Sequence, residues 1–241
     1  MIKLSKRLRM NASFVTQGNR LCDVGTDHGY IPIALVQEGI IPSALAMDVN
    51  EGPLERAKEH IREFHLESCI HTRLSDGVQA LHPGEADSVL IAGMGGALTV
   101  RILSAGKDVL RSVKELILQP QSELDKVRRY LSENGYQIIQ EDIVREDGKY
   151  YSVMKAVAGE MNEEREIYFQ YGKLLLENAH PVLKEFLLQR KQMCENILEK
   201  MCREGRAEER TRVRAQEIRR EINQIQEALT YYDVQGNHGC S

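Results

Sequence analysis

The chain has 241 residues, 42% of them hydrophobic, and a formal net charge of -4, the composition of a globular protein with one sizeable core and an appendage. No run approaches the roughly 18 apolar residues of a membrane span, and Met1 to Arg7 leads into no signal-peptide core, so a cytoplasmic location is expected. Five cysteines, odd in number and without a C-x-x-C pair, argue against a disulfide framework and a zinc site, and the charge leaves any polyanion to local basic patches.

The first predicted strand, at about 20–25, runs through Leu21-Cys22-Asp23-Val24-Gly25-Thr26-Asp27-His28-Gly29-Tyr30-Ile31-Pro32 into a glycine turn that opens a helix. In a dinucleotide fold, G-x-G-x-x-G brings backbone against a pyrophosphate at a helix N-terminus. Here Asp27 stands where the second glycine would be, and a carboxylate there repels a diphosphate. A cationic adenosine without phosphates suits the turn better. S-adenosylmethionine (SAM), with its sulfonium and α-ammonium, is such a ligand, and Gly25, Asp27 and His28 are expected to contact it.

A second strand at about 44–49 ends on Asp48, followed by a helix from Glu51 to Phe64. Asp48 either accepts the hydroxyls of a ribose or caps that helix. The third strand, at about 69–73, leads to Ser75-Asp76-Gly77, where Asp76 and Gly77 serve an adenine amine or simply form a turn. Asp27, Asp48 and Asp76 thus follow three successive strands. After the fourth strand, at about 87–92, comes Ile91-Ala92-Gly93-Met94-Gly95-Gly96, whose glycines admit a flat ring or a sulfur close to backbone. Gly93 and Met94 are read as cofactor contacts, with a core position as the alternative for Met94. A helix from Ala97 to Ala105 follows, and the fifth strand, at about 115–119, closes on Leu118-Gln119-Pro120-Gln121 at the substrate mouth.

A helix from Ser122, its expected cap, to Asn134 leads into two β-rich segments, Tyr136 to Arg145 and Lys149 to Val157, joined across Asp147-Gly148, a hairpin signal. From about Glu160 strands disappear. Leu183, Leu187, Arg190, Cys194, Ile197 and Met201 follow alternating four-and-three spacing, as do Ala215, Ile218, Ile222, Ile225 and Leu229. They predict an antiparallel coiled-coil hairpin folded back through Arg203-Glu204-Gly205, with a break at Pro181. The expected fold is therefore α/β: a Rossmann-like doubly wound sheet with a terminal antiparallel hairpin over 1–158, a helical coiled coil over 159–235 and a flexible tail over 236–241.

No D/N-P-P-Y/F/W motif, the grip for an exocyclic amine, follows the fourth strand, and no Pro-Cys pair supplies a nucleophile there. The scattered histidines have no metal spacing, so no metal is expected. Taken in order, Leu4-Ser5-Lys6-Arg7-Leu8, the Gly25 to Tyr30 turn, Asp48, Gly52-Pro53-Leu54, Asp76-Gly77, Ile91 to Gly96 and Leu118-Gln119-Pro120 closely resemble the tRNA (adenine-22 N1)-methyltransferase family. Gly29 and Ile31 stand where that family leads us to expect alanine and leucine, a difference of packing more than of chemistry.

The resemblance implies SAM-dependent methylation of N1 of an adenine in the tRNA D-arm region. Asp27 would bind cofactor and face the developing charge, or only structure its loop; Tyr30 would stack on the target base, or pack its helix on the sheet. RNA contacts are expected from Lys3, Lys6, Arg7 and Arg9 near the crevice and from arginines of the helical hairpin, Arg206 and Arg210 among them. The competing readings are a methyltransferase for another RNA, a protein or a small molecule, a noncatalytic tRNA scaffold and a nicotinamide oxidoreductase. No oligomeric partner is evident.

Overall fold

The structure is a computed structural model that describes residues 2–163, 165–204 and 209–233. The chain divides into two compact units, Met1–Glu164 and Arg165–Ser241. The division falls six residues beyond 158, because the chain leaving the sheet is tied back to the first unit: Gly159 N donates to Gly135 O at 2.9 Å and Ser132 Oγ to Met161 O at 3.0 Å.

In the first unit, strands β1 (Leu21–Val24), β2 (Ala44–Asp48), β3 (Ile70–Leu74), β4 (Ser88–Met94), β5 (Glu115–Pro120), β6 (Tyr136–Glu146) and β7 (Lys149–Ala158) form one sheet in the order β3-β2-β1-β4-β5-β7-β6. The first five are parallel; β7 pairs antiparallel with both β5 and β6. Asp147 and Gly148 both take positive φ (49° and 75°) in the β6–β7 turn, as a two-residue hairpin of matching twist requires. Strand order reverses between β1 and β4, where open α/β sheets place their ligand crevice.

Apolar side chains alternate between two faces with the period of a strand: Leu21 and Leu90 belong to one core, Cys22, Val89 and Ile91 to the other. Helices α1 (Lys6–Ser13), α2 (Tyr30–Gln37) and α3 (Glu51–Glu63) contribute Met10, Ile33, Leu35 and Ile61 to the first core. Helices α4 (Gly96–Ala105), α5 (Lys107–Leu110) and α6 (Leu124–Glu133) contribute Ile102, Leu103, Leu110, Val127 and Leu131 to the second. The sheet is thus covered on both sides.

Helix α6 corrects the expected Ser122 cap. It starts at Leu124 behind Glu123, which has φ 52° and no side-chain cap bond. Ser122 O instead accepts Gly96 N at 3.0 Å and the Glu123 carboxylate accepts Ala97 N at 3.1 Å, so this segment closes the start of α4. A methyl at Gly96 would lie 2.5 Å from Ser122 O and 2.6 Å from Glu123 O, with rigid backbone on both sides. Gly96→Ala is therefore expected to cost about 2 kcal/mol or more, read as a lowered urea midpoint.

The second unit contains α7 (Glu166–Tyr171), α8 (Lys173–Glu177), α9 (Pro181–Glu204) and α10 (Glu209–Asp233). Pro181 opens α9, a position that needs no amide donor. The long helices run antiparallel, as Arg190 pairing with Glu221 and the Tyr232 hydroxyl donating to His180 O show. Leu183, Leu187, Cys194, Ile218, Ile225 and Ala228 are buried along the seam. Ile197, expected there, is 41% exposed: a two-helix hairpin offers a flanking side chain no second neighbour. Gly205 of the expected turn lies outside the described residues.

Candidate functional site

At the carboxyl ends of β1 and β4 lies a cavity of about 380 Å³, lined by Arg7, Leu8, Asp23, Gly25, Thr26, Asp27, His28, Tyr30, Ile31, Ala92, Gly93 and Gln121. The sequence folds here through left-handed backbone. Gly25, Asp27 and Gly29 have φ of 75°, 51° and 70°, so the chain leaves β1, turns sharply and enters α2 behind the left-handed Gly29. Gly93, with φ 78°, opens the opposite wall where β4 bulges against β5 between Ala92 and Met94.

Asp23 lies at the end of the buried strand β1 and is 5% exposed. Burial pushes its carboxyl up to about 6, against the Thr26 hydroxyl, which donates to Oδ2 at 2.7 Å. Asp48 at the end of β2 adds to the rise by charge repulsion. The sequence reading missed Asp23 as a site residue, although a carboxylate inside a four-residue apolar strand was itself a signal, since an unpaired buried acid is costly.

Asp27, the acid given most weight in the sequence, is exposed and already partnered: its carboxylate pairs with Arg56 of α3 and lies 3.4 Å from His28 Nε2. Three rings assemble beside it. His28 stacks on Tyr30 at 5.0 Å between centroids and 12° between planes, and His60 tilts against both, at 5.4 and 5.1 Å. His60 Nδ1 lies 2.9 Å from His28 O, which ties α3 to the turn. Arg56 and His60 project from α3 and had no signal beyond helical spacing.

The cavity therefore brings together seven of the residues singled out in the sequence, Arg7, Gly25, Asp27, His28, Tyr30, Gly93 and Gln121. Asp48 and Asp76 do not line it. Asp48 ends β2 half-buried, with Oδ1 accepting Asn50 N at 2.9 Å, while Asn50 occupies the cap position of α3. Asp76 is exposed, 3.8 Å from Arg101. A Cβ at Gly77 would lie 2.8 Å from Ile102, so that glycine also permits close packing of the loop on α4. Met94 reaches under the β1 turn, its methyl 2.4 Å from where a Gly25 Cβ would stand. Because β1, β2 and β3 are neighbours, the three acidic strand ends line one edge of the sheet, next to the cavity at β1.

Of the basic residues, Lys3, Lys6 and Arg9 are exposed and do not line the cavity, and Arg9 pairs with Glu38. Arg7 alone turns in. Arg206 and the side chain of Arg210 lie outside the described residues. Among the described residues no group of three or more His, Cys, Asp or Glu is placed to hold a metal ion, and no helix is long and apolar enough to cross a membrane.

This glycine-walled, acid-floored cavity at the switch point of a parallel sheet closed by an antiparallel hairpin defines a methyltransferase domain, and the family profile of that description matches residues 4–154. The chain is 42% identical over 159 residues, 66% of its length and 67% of the relative's, to the tRNA (adenine(22)-N(1))-methyltransferase of Bacillus subtilis strain 168. Among solved structures, the B. subtilis m1A22 tRNA methyltransferase TrmK superposes with a TM-score of 0.85 at 32% identity, over 95% of this chain and all of that one. The M. capricolum TrmK bound to S-adenosyl-homocysteine does so with a TM-score of 0.82 at 25% identity, over 95% and 98%. The chain belongs to the tRNA (adenine-22 N1)-methyltransferase family.

Proposed function

We propose that this protein transfers a methyl group from SAM to N1 of adenine 22 in tRNA, the activity in the name of its B. subtilis relative. The observation that carries the reading is the pairing of a buried acid, Asp23, with two left-handed glycines at one cavity. The residues fit SAM. Gly93 presents no Cβ to it, Gly25 gives its Cβ direction to the Met94 methyl behind the turn, Asp23 suits a cationic group, and Asp48 at the next strand end has the ribose position of the fold. Asp76 and Gly77 follow the strand beyond that on the same edge, and in this reading they take the adenine amine.

When bound, SAM supplies an electrophilic methyl on sulfur. The protein's task is orientation. Adenine N1 carries a free lone pair at neutral pH, so no strong general base is required, and positioning supplies the main rate term, up to roughly 7–11 kcal/mol in favourable cases. The His28–Tyr30 stack offers a flat surface to the target base, held by His60 from behind. Asp27 adds negative charge near a ring that becomes cationic, moderated by Arg56. Lys3, Lys6 and Arg9 on and before α1 and the arginines of the helical hairpin, including Arg206 and Arg210, provide phosphate contacts, and a tRNA substrate puts the protein in the cytoplasm.

Tyr30→Ala is expected to lower kcat/KM for tRNA by roughly 10-fold to 100-fold, the worth of one stacked base, with SAM affinity little changed, while Tyr30→Phe stays near wild type. Steady-state kinetics with both substrates varied separates the two. Equal loss in the Phe and Ala variants would assign the effect to the hydroxyl and remove the stacking role.

A further inference from the structure

We propose that Gln121 reads the target base, its carboxamide taking the N6 amine and N7 of adenine together so that N1 stays open to the methyl group; the inference rests on the function proposed above. The run Leu118-Gln119-Pro120-Gln121 closes β5 and holds two amides with different fates. Gln119 is fully buried and spent within the protein, Oε1 accepting from Arg7 Nη1 at 3.1 Å and Nε2 donating to Pro120 O at 3.4 Å. Gln121 lines the cavity, the one carboxamide to do so among the described residues.

Its backbone is fixed while its side chain is not engaged. Gln121 N donates to Met94 O at 2.8 Å beside the β4 bulge. Nε2 lies 3.7 Å from where a Gly93 Cβ would stand, so the amide rests over a stretch of wall that has no side chain of its own. Among the described residues the carboxamide has no hydrogen-bond partner. Thr26 and Asp27, which could also meet a base, are committed to Asp23 and Arg56.

The reaction limits how the base can be read. N1 must offer its lone pair to the methyl group, so no hydrogen bond to the protein can occupy it. Cytosine carries the same kind of ring nitrogen beside the same amine, and that edge alone does not separate the two bases. N7 does, because a pyrimidine has none. An amide presents one acceptor and one donor at the spacing of N6–H and N7. A carboxylate would only accept and would repel N7, and a guanidinium would only donate and leave the amine unmet. With Tyr30 on the face of the base and no D/N-P-P-Y/F/W run after β4 to grip the amine, the end of β5 is left to read this edge.

Steady-state kinetics tests this with tRNA ligated to carry adenosine or 7-deazaadenosine at position 22, on the wild-type protein and on Gln121→Ala and Gln121→Glu. The side chain is exposed, so neither variant disturbs the core. Gln121→Ala is expected to lower kcat/KM for the adenosine tRNA roughly 10-fold to 100-fold, the worth of a bidentate amide–adenine pair, with SAM affinity by calorimetry unchanged. The preference for adenosine over 7-deazaadenosine should be roughly 5-fold to 20-fold greater in wild type than in Gln121→Ala, a comparison that cancels the different nucleophilicity of the two rings. Gln121→Glu should move that preference further toward 7-deazaadenosine than Gln121→Ala does, since its carboxylate repels N7. Equal preferences in wild type and Gln121→Ala overturn the proposal, and so does a Gln121→Ala protein whose only defect is weaker SAM binding. A wild-type protein that forms no 1-methyladenosine on the adenosine tRNA would instead remove the function reading beneath it.

Discussion

At pH 7.5 the Asp23→Asn protein is expected to unfold at a higher temperature than wild type and yet to bind SAM at least roughly tenfold more weakly. Both halves follow from one fact, that the Asp23 carboxyl sits at 5% exposure and is pushed up to about 6. The sign is fixed by linkage. A carboxyl whose folded pKa lies above its unfolded value, about 3.9, binds its proton more tightly when folded. Its contribution is therefore most favourable at low pH and is lost as pH rises from about 4 through 6.

Above that window the free protein carries a buried charge at a cost on the order of 2–3 kcal/mol, which asparagine removes while still accepting the Thr26 hydroxyl. A cationic ligand needs the ionised form, so the Kd for SAM should rise as pH falls below about 6 in wild type and stay flat in Asp23→Asn. Thermal melts and calorimetry across pH 5–8 check both. A variant less stable than wild type, with unchanged SAM affinity, would make Asp23 a structural residue.

Lys155→Met is expected to destabilise the first unit by about 3–5 kcal/mol, a large share of the stability of an ordinary domain. Lys155 Nζ donates to Thr16 Oγ1 at 2.8 Å and pairs with Glu115 Oε2 at 3.0 Å, both charged side chains being nearly enclosed. The Glu115 carboxylate also accepts from Ser88 Oγ at 2.6 Å and Thr16 N at 2.9 Å. Burial pushes the Glu115 carboxyl up, but these donors together hold it below the usual carboxylate range. The network's contribution is then fully present above the unfolded value of about 4.3 and lost as pH falls through the lower folded value.

Removing the lysine leaves that carboxylate buried without its cation. The double variant Lys155→Met, Glu115→Gln should recover most of the loss, because it removes both charges and keeps an amide oxygen to accept from Ser88 and Thr16. Urea denaturation at pH 7 measures each step, and a double variant as unstable as the single one would show that packing, not charge, sets the cost.

The strands were legible because buried parallel strands read as short apolar runs, and all five parallel ones lie within two residues of their expected bounds. The hairpin was legible in Asp147-Gly148, where the turn chemistry is local. Helix α1 was not read: eight residues, Lys6–Ser13, carry too little apolar period, and the local cap, Ser5 accepting Leu8 N, is joined at its start by Glu146, 140 positions away. The short helices α7 and α8 gave no period either.

The site divides the same way. Glycine and acid positions on the β1 turn were visible in sequence, since they answer to local backbone geometry. Partnerships were not, because they depend on which helix packs where: Arg56 beside Asp27, His60 beneath the His28–Tyr30 stack, and Arg7 held by Gln119, 112 positions away. Electrostatic reasoning on Asp27 alone pointed to a loop that lines the cavity but gave its charge too much freedom, while the quieter Asp23 is the acid enclosed there.

The most direct measurement incubates the purified protein with methyl-labelled SAM and unmodified tRNA transcripts carrying adenine or guanine at position 22, followed by nucleoside mass spectrometry and primer extension. One 1-methyladenosine per transcript is expected at that position, absent from the guanine transcript. Label in N6-methyladenosine, at another position, or equally in both transcripts would contradict it.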